Sequence, residues 1–196
     1  MKEEKKLLNE ICTNKRNINL QTLYHVISLA VEIAREGREG RKVGTMFVVS
    51  DEEKTLKKSR CLILDPLIGH PDNKKSILDA DLRETVKELS QLDGAFIVSD
   101  AGIVISACRY IDASSKDLNI PLGLGSRHMA AASITKNTNS VAVIVSESSI
   151  VRVIDDGYIV SEIIPEIWML EQSSLHLEGP YSEQKGEHMT VISKKQ

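Results

Sequence analysis

Three short stretches of this sequence carry side chains that could do chemistry. The first is Leu92-Asp93-Gly94-Ala95-Phe96-Ile97-Val98, an acidic residue at the head of an apolar run with glycine beside it. A carboxylate at a strand end can bind a metal or accept a hydrogen bond from a substrate hydroxyl, and glycine lets a ligand approach the backbone. The same residues also suit a plain turn, because Asp-Gly is a favoured turn dipeptide. The second stretch is Gly123-Leu124-Gly125-Ser126-Arg127-His128-Met129, followed by three alanines. Small residues lead there into a helix whose first turn holds Arg127 and His128. Free amides at a helix N-terminus bind anions, and Arg127 adds a charged fork. His128 could contact a phosphate or a metal-bound group. The plainer alternative is a helix capped by Ser126, with the arginine solvated and the histidine packed. The third is Ser146-Glu147, after the apolar run Val141 to Val145. Glu147 could join Asp93 around a cation, or simply end a strand in solvent.

Other chemical signatures are missing. There is no GxxxxGK[ST] phosphate loop, no GxSxG elbow and no HExxH pair. His25, His70, His176 and His188 are scattered without ligand spacing, and Cys108 has no adjacent base, which suits a packed thiol.

The elements around these stretches follow from hydrophobic spacing. Residues 3–12 read as a short charged helix. Asn19 caps a longer helix in which Leu20, Leu23, Tyr24, Ile27, Ala30, Val31 and Ala34 recur at three and four, and Gly37, Gly40 and Gly44 stop it. Thr45 to Val49 and Cys61 to Leu64 read as strands, with a turn at Pro66, Gly69 and Pro71. Ile77 to Leu89 has helical spacing. Ala95 to Val98 and Ile103 to Ala107 flank a hairpin turn at residues 99–102. A helix from Ser126 to Thr135 precedes strands at Val141 to Val145, Ile150 to Ile154 and Tyr158 to Val160, the last two joined by Asp155-Asp156-Gly157. Tight turns among alternating helices and strands predict an α/β fold with a mixed β-sheet flanked by helices. We divide the chain into an N-terminal helical segment, 1–40, packed on or preceding the domain, a main domain, 41–171, and a polar, weakly ordered tail, 172–196.

Composition narrows the function classes. The 196 residues are 41% hydrophobic and 27% charged, ordinary for a globular protein with a core of its own. With 28 acidic and 25 basic side chains the net charge is -3, so nucleic acid is not an expected partner. Three cysteines without a CxxC pair argue against a disulfide scaffold or zinc ribbon. The opening MKEEKKLLNE lacks a secretory apolar core, and no run approaches the roughly 20 residues of a membrane span. A cytoplasmic protein without membrane contact is the expectation.

Taken in order, LDGAFIVSDAGIVISACRYI, GLGSRHMAAASIT and VAVIVSES resemble the catalytic domain of diadenylate cyclases over roughly residues 20–160. The family's hallmarks are Asp-Gly-Ala, here Asp93-Gly94-Ala95, and Arg-His-Arg within Gly-(Thr/Ser)-Arg-His-Arg-Ala-Ala, here Gly125-Ser126-Arg127-His128-Met129-Ala130-Ala131. Upstream, Gly44-Thr45 and Asp65-Pro66-Leu67-Ile68-Gly69 resemble the family's early strand and Asn-Pro-Phe-x-Gly turn. The resemblance implies condensation of two ATP into cyclic di-AMP and two pyrophosphates, across a face-to-face pair of subunits and hence at least a dimer. It implies catalytic roles for Asp93, Arg127 and His128. ATP would be held by Leu92, Gly94, Ala95, Gly123, Gly125, Ser126, Arg127 and His128. A manganese or magnesium ion would lie near Asp93, His128 and Glu147. Met129 replaces the second arginine, associated with phosphate handling, and Ser148 replaces the second acid of Ser-Glu-Glu. Arg109, Lys136 or Arg152 could restore the missing charge. The alternative is a catalytically degenerate sensor that binds ATP or cyclic di-AMP.

Overall fold

The computed structural model describes residue 16, residues 18–112 and 123–165, and the backbone of two strands at Tyr181–Lys185 and Thr190–Lys194. Helix α1 (Leu20–Glu36) begins where the Asn19 side chain accepts hydrogen bonds from the amides of Gln21 and Thr22 at 3.0 and 3.3 Å. That satisfies two of the donors a helix start leaves unpaired. It ends at Gly37, whose φ of 60° a larger residue would resist, and whose N–H donates to Ile33 O.

Strand β1 (Thr45–Val49), helix α2 (Glu52–Lys57), strand β2 (Ser59–Cys61), helix α3 (Ala80–Leu89), and strands β3 (Ala95–Val98) and β4 (Val104–Ile111) follow. Helix α4 (Ser126–Asn137) and strands β5 (Val141–Val145), β6 (Val151–Asp155) and β7 (Tyr158–Ile163) complete a seven-stranded sheet of order β2-β4-β3-β1-β5-β6-β7. Strands β1 and β3 pair in parallel and every other neighbour is antiparallel, so the sheet is mixed, as expected.

The sheet is covered on both faces, and its central strands are accordingly near-continuous apolar runs. On one face Phe47, Val49, Phe96, Val98, Val143 and Val153 pack with Leu23, Ile27 and Ala30 of α1 and with Leu82 and Val86 of α3. Phe47 and Phe96, partners in register, stack at 5.1 Å. On the other face Met46, Val48, Ala95, Ala142, Ile144 and Ile154 meet Ala131, Ala132 and Ile134 of α4. Behind α1, Lys87 of α3 is buried among Glu32, Glu36 and Glu84, and Arg83 pairs with Glu32. Helix α1 thus shares the core of the sheet.

The sheet order dictates where chemistry can gather. Strand β1 lies between its parallel partner β3 and its antiparallel partner β5, with Met46 opposite Ala95 and Thr45 opposite Val145. The starts of β1 and β3 and the end of β5 therefore share one end of the sheet. Strand β6 starts there too, since Val151 pairs with Val145.

Several boundaries differ from the sequence expectation. The strand expected at Cys61 to Leu64 is Ser59–Cys61, a short edge strand, and Ile63 and Leu64 beyond it are exposed. The helix expected from Ile77 starts at Ala80, because Asp79 caps it and the Ile77 N–H donates to Gly102 O. Within residues 172–196, the strands β8 (Tyr181–Lys185) and β9 (Thr190–Lys194) pair antiparallel. The helix expected at 3–12 lies outside the described residues.

Candidate functional site

Helix α4 enters the sheet end through Gly125, its N-cap, which has no side chain to satisfy the first amides of the helix. Ser126 is the first helical residue, so it does not play the capping role that the plainer sequence reading assigned to it. Arg127 follows and meets both acids that the topology brings to this end. Its Nη2 lies 3.2 Å from Asp93 Oδ1 and its Nη1 lies 3.8 Å from Glu147 Oε1. Asp93 and Glu147 are 77% and 75% exposed, so both carboxylates are accessible to solute. The Arg127 Nε is buried without a hydrogen-bond partner among the described residues.

Room for this guanidinium comes from Gly44, just ahead of β1. A Cβ there would lie 2.7 Å from Arg127 Nη1 and 3.3 Å from Glu147 Cγ. The sequence reading had Gly44 stopping a helix and preceding a familiar-looking strand. Its contact with residues 83 and 103 positions away becomes visible only once β1 and β5 are paired.

Gly94 answers to a different constraint. Its φ is 106°, and a Cβ would fall 2.7 Å from the carbonyl carbon of Cys108 and 2.8 Å from Arg109 N. Strand β4 bulges here, with Cys108 at φ 53° and a register shift after Ala95. The bulged strand's Ala107 N–H donates to Asp65 Oδ1 at 3.1 Å, and Ser106 Oγ donates to Asp65 Oδ2 at 2.5 Å. Asp65 also accepts from Leu67 N, so the Asp65-Pro66 turn is fastened to β4. Cys108 is buried, and burial, then Asp65, Cys61 and Asp93, pushes its thiol pKa up, which keeps it protonated and inert.

Two clefts adjoin along the N-terminus of α4 and share Ser126 and Arg127. The first, about 380 Å³, has an apolar wall of Met46, Leu62, Tyr110, Ile111 and Met129, with Asp93 and Gly94 at its rim. The second, about 460 Å³, is polar and is lined by Gly123, Gly125, His128, Ser146, Glu147, Ser148 and Arg152 among others. Arg127 stands on the ridge between them.

The residues expected from sequence separate accordingly. Asp93, Gly94, Ser126 and Arg127 line the first cleft, and Gly123, Gly125, Ser126, Arg127, His128 and Glu147 line the second. Leu92 is half exposed and lines neither, and Ala95 is buried in the core beneath. Met129 faces the apolar cleft rather than the polar one. Asp93, His128 and Glu147 do not come together as a ligand trio. No three His, Cys, Asp or Glu side chains are gathered for a metal among the described residues.

His128 is drawn the other way. It is 6% exposed, and its Nε2 lies 3.3 Å from Arg152 Nη1. Burial foremost, then Arg152 and Arg127, lowers its pKa against the opposing pull of Glu162, which favours the neutral imidazole. Arg152 Nε donates in turn to Glu162 Oε1 at 2.5 Å. The signal for this chain was one arginine within the buried run Val151 to Ile154.

The family model described as DisA bacterial checkpoint controller nucleotide-binding matches residues 32–159. A curated diadenylate cyclase of Methanocaldococcus jannaschii is 53% identical over 146 residues, which are 74% of this chain and 46% of that protein. A curated diadenylate cyclase of Haloferax volcanii is 40% identical over 146 residues, 73% of this chain and 52% of that protein. The chain thus spans about half the length of the curated relatives it matches. The crystal structure of a DacA double mutant from Staphylococcus aureus has a TM-score of 0.51 at 22% identity, covering 87% of this chain and 95% of that one, a likeness of fold. With two thirds of its length matched by one family model and the hallmark residues gathered at one end of its sheet, the chain belongs to the DisA bacterial checkpoint controller nucleotide-binding family.

Proposed function

We propose that this chain is a diadenylate cyclase, joining two ATP into cyclic di-AMP with release of two pyrophosphates. The observation that carries this reading is the meeting of Asp93 and Arg127 at 3.2 Å where an apolar cleft adjoins a polar one. The apolar cleft suits a nucleobase. The polar cleft opens on the uncapped amides of α4 and on Arg127 and Arg152, and suits a triphosphate. Family membership and curated relatives of that name support the same reaction.

In this reading, a ribose 3′-hydroxyl near Asp93 attacks the α-phosphorus of an ATP held by a second subunit. The new O3′–P bond forms as the bond to the bridging oxygen breaks and pyrophosphate leaves. Asp93 orients the hydroxyl and accepts its proton. Arg127 is paired with two exposed carboxylates and exchanges them for phosphate oxygens. As in other phosphoryl transfers, positioning and charge stabilisation supply most of the acceleration. One chain carries one copy of the motif set, so the reaction needs two chains face to face.

Asp93 and Glu147, whose exposed carboxylate oxygens match the ligand chemistry of magnesium or manganese, are the residues that would hold a divalent ion. His128, committed to Arg152, does not fit as a third ligand. Such an ion would supply charge neutralisation to the leaving pyrophosphate. No described helix is long and apolar enough to cross a membrane. With Cys61 and Cys108 free as thiols, we place the protein in the cytoplasm.

The test is incubation of the purified chain with ATP and manganese, followed by chromatographic detection of cyclic di-AMP. Specific activity should fall on dilution below the dimer dissociation constant. ATP binding without any product supports the sensor alternative. Flat specific activity in a sample that light scattering finds monomeric rejects the two-subunit mechanism.

A further inference from the structure

We propose that Arg152 is the second phosphate-binding cation of this site, aimed by His128 and Glu162. This rests on the reading of the polar cleft as a triphosphate site. The residue lies mid-strand on β6 opposite Ile144, and its neighbours Val151 and Val153 face α1, so Arg152 faces α4. Its side chain is 12% exposed and lines the cleft at the helix N-terminus. A guanidinium so enclosed needs partners. Glu162, its cross-strand neighbour, accepts from Nε, and His128 Nε2 sits 3.3 Å from Nη1. Arginine can only donate, so Nε2 is the acceptor and the imidazole proton resides on Nδ1. Among the described residues Nη2 has no hydrogen bond, which leaves it for the cleft.

Apart from Arg127, no other described arginine or lysine lines the polar cleft, and Arg109 lines the apolar one. The Arg109 guanidinium is consumed by Ser59, the Leu56 carbonyl and Cys61. Lys136 lies by Asp156 and the Tyr158 ring, at the far end of α4. Met129 has no donor and lines the apolar cleft. Arg127 divides its charge between Asp93 and Glu147. Arg152 is therefore the cation that complements Arg127 on the polar side. His128 and Glu162 act as positioning residues, the histidine by accepting from one arm of the fork and the glutamate by holding its stem.

Calorimetric titration at fixed magnesium tests this with two probes, adenosine and an ATP analogue whose α,β bridge is methylene and cannot react. In Arg152→Met the analogue should bind about ten- to hundredfold more weakly, the loss of a charge-assisted contact, while adenosine affinity stays as in the parent. Arg152→Lys keeps the charge without the fork and should recover part of the loss. Glu162→Gln, which keeps an acceptor for Nε, should lose less than Glu162→Ala. Unchanged analogue binding in Arg152→Met overturns the proposal and leaves the cyclase reading standing. An equal loss for analogue and adenosine marks Arg152 as structural and also overturns it. A parent protein that binds no analogue overturns both. If Arg152→Met does not fold, the analogue-to-adenosine ratio in Arg152→Lys decides on the same terms.

Discussion

Gly44 stands where a Cβ would lie 2.7 Å from the Arg127 Nη1, so a residue that precedes one strand shapes a guanidinium on a helix far along the chain. The atom in the way is the far end of a flexible side chain and can move. Gly44→Ala should therefore cost little stability. Its effect should fall on function, because displacing Arg127 by about 1 Å would disturb the phosphate contact we propose for it. We expect turnover to drop about ten- to hundredfold, with a melting temperature close to the parent's. Steady-state rates alongside thermal unfolding check this. An unaltered rate would detach Gly44 from the site.

Gly94→Ala should behave in the opposite way. The clash there is with the Cys108 backbone, at 2.7 Å, and φ is 106°. Neither can be relieved by rotating a side chain. The expected loss is about 2–4 kcal/mol of folding stability, as strain at a positive φ adds to displaced β4 backbone. Urea unfolding measures it directly.

Asp93→Asn should remove synthesis and spare the fold. The carboxylate is mostly exposed and its pairing with Arg127 is a surface ion pair, worth about 0–1 kcal/mol. Losing the proton acceptor that we propose should lower turnover by about a hundredfold or more. Rate assays and circular dichroism on the same sample decide. Near-normal synthesis would take Asp93 out of the mechanism.

His128 predicts a pH dependence of stability. Burial, then Arg152 and Arg127, lowers its folded-state pKa below the ordinary value. The unfolded chain takes up the proton near pH ~6.5, whereas the folded chain resists until lower pH. The unfolded state therefore binds more protons across that window, so this contribution is full above it and is lost as pH falls. Stability should decline from pH 7 to pH 5, and less steeply in His128→Asn, which cannot titrate. Denaturant unfolding at the two pH values compares the slopes. Equal slopes would show that His128 is not held neutral.

Much of the fold is legible in the sequence because its determinants are local. Asn19 and Gly37 bracket α1, apolar spacing marks its buried face, and Asp155-Asp156-Gly157 turns β6 into β7. Motif order likewise exposes Asp93, Arg127 and Glu147 as candidates, since a strand-end acid and a glycine-led helix start are patterns of a few residues. The edge strand lies at Ser59–Cys61 rather than Cys61 to Leu64, because Ile63 and Leu64 are apolar yet exposed to solvent. Hydrophobicity alone cannot tell a strand from an exposed loop beside a cleft.

Residue types and local periods are properties of the chain, and they determined the mixed sheet, its main elements and the acids and cations available for chemistry. Which of those groups meet was decided by strand order. Placing β1 between β3 and β5 sets Gly44, Asp93 and Glu147 at one end of the sheet, and α4 lays Arg127 across them. The alternation of β6 turns Arg152 toward α4, where its Nη1 meets His128 Nε2. Contacts between residues 24 and 34 positions apart, and a glycine that matters only for the side chain beside it, arise when the sheet closes. No local pattern encodes them.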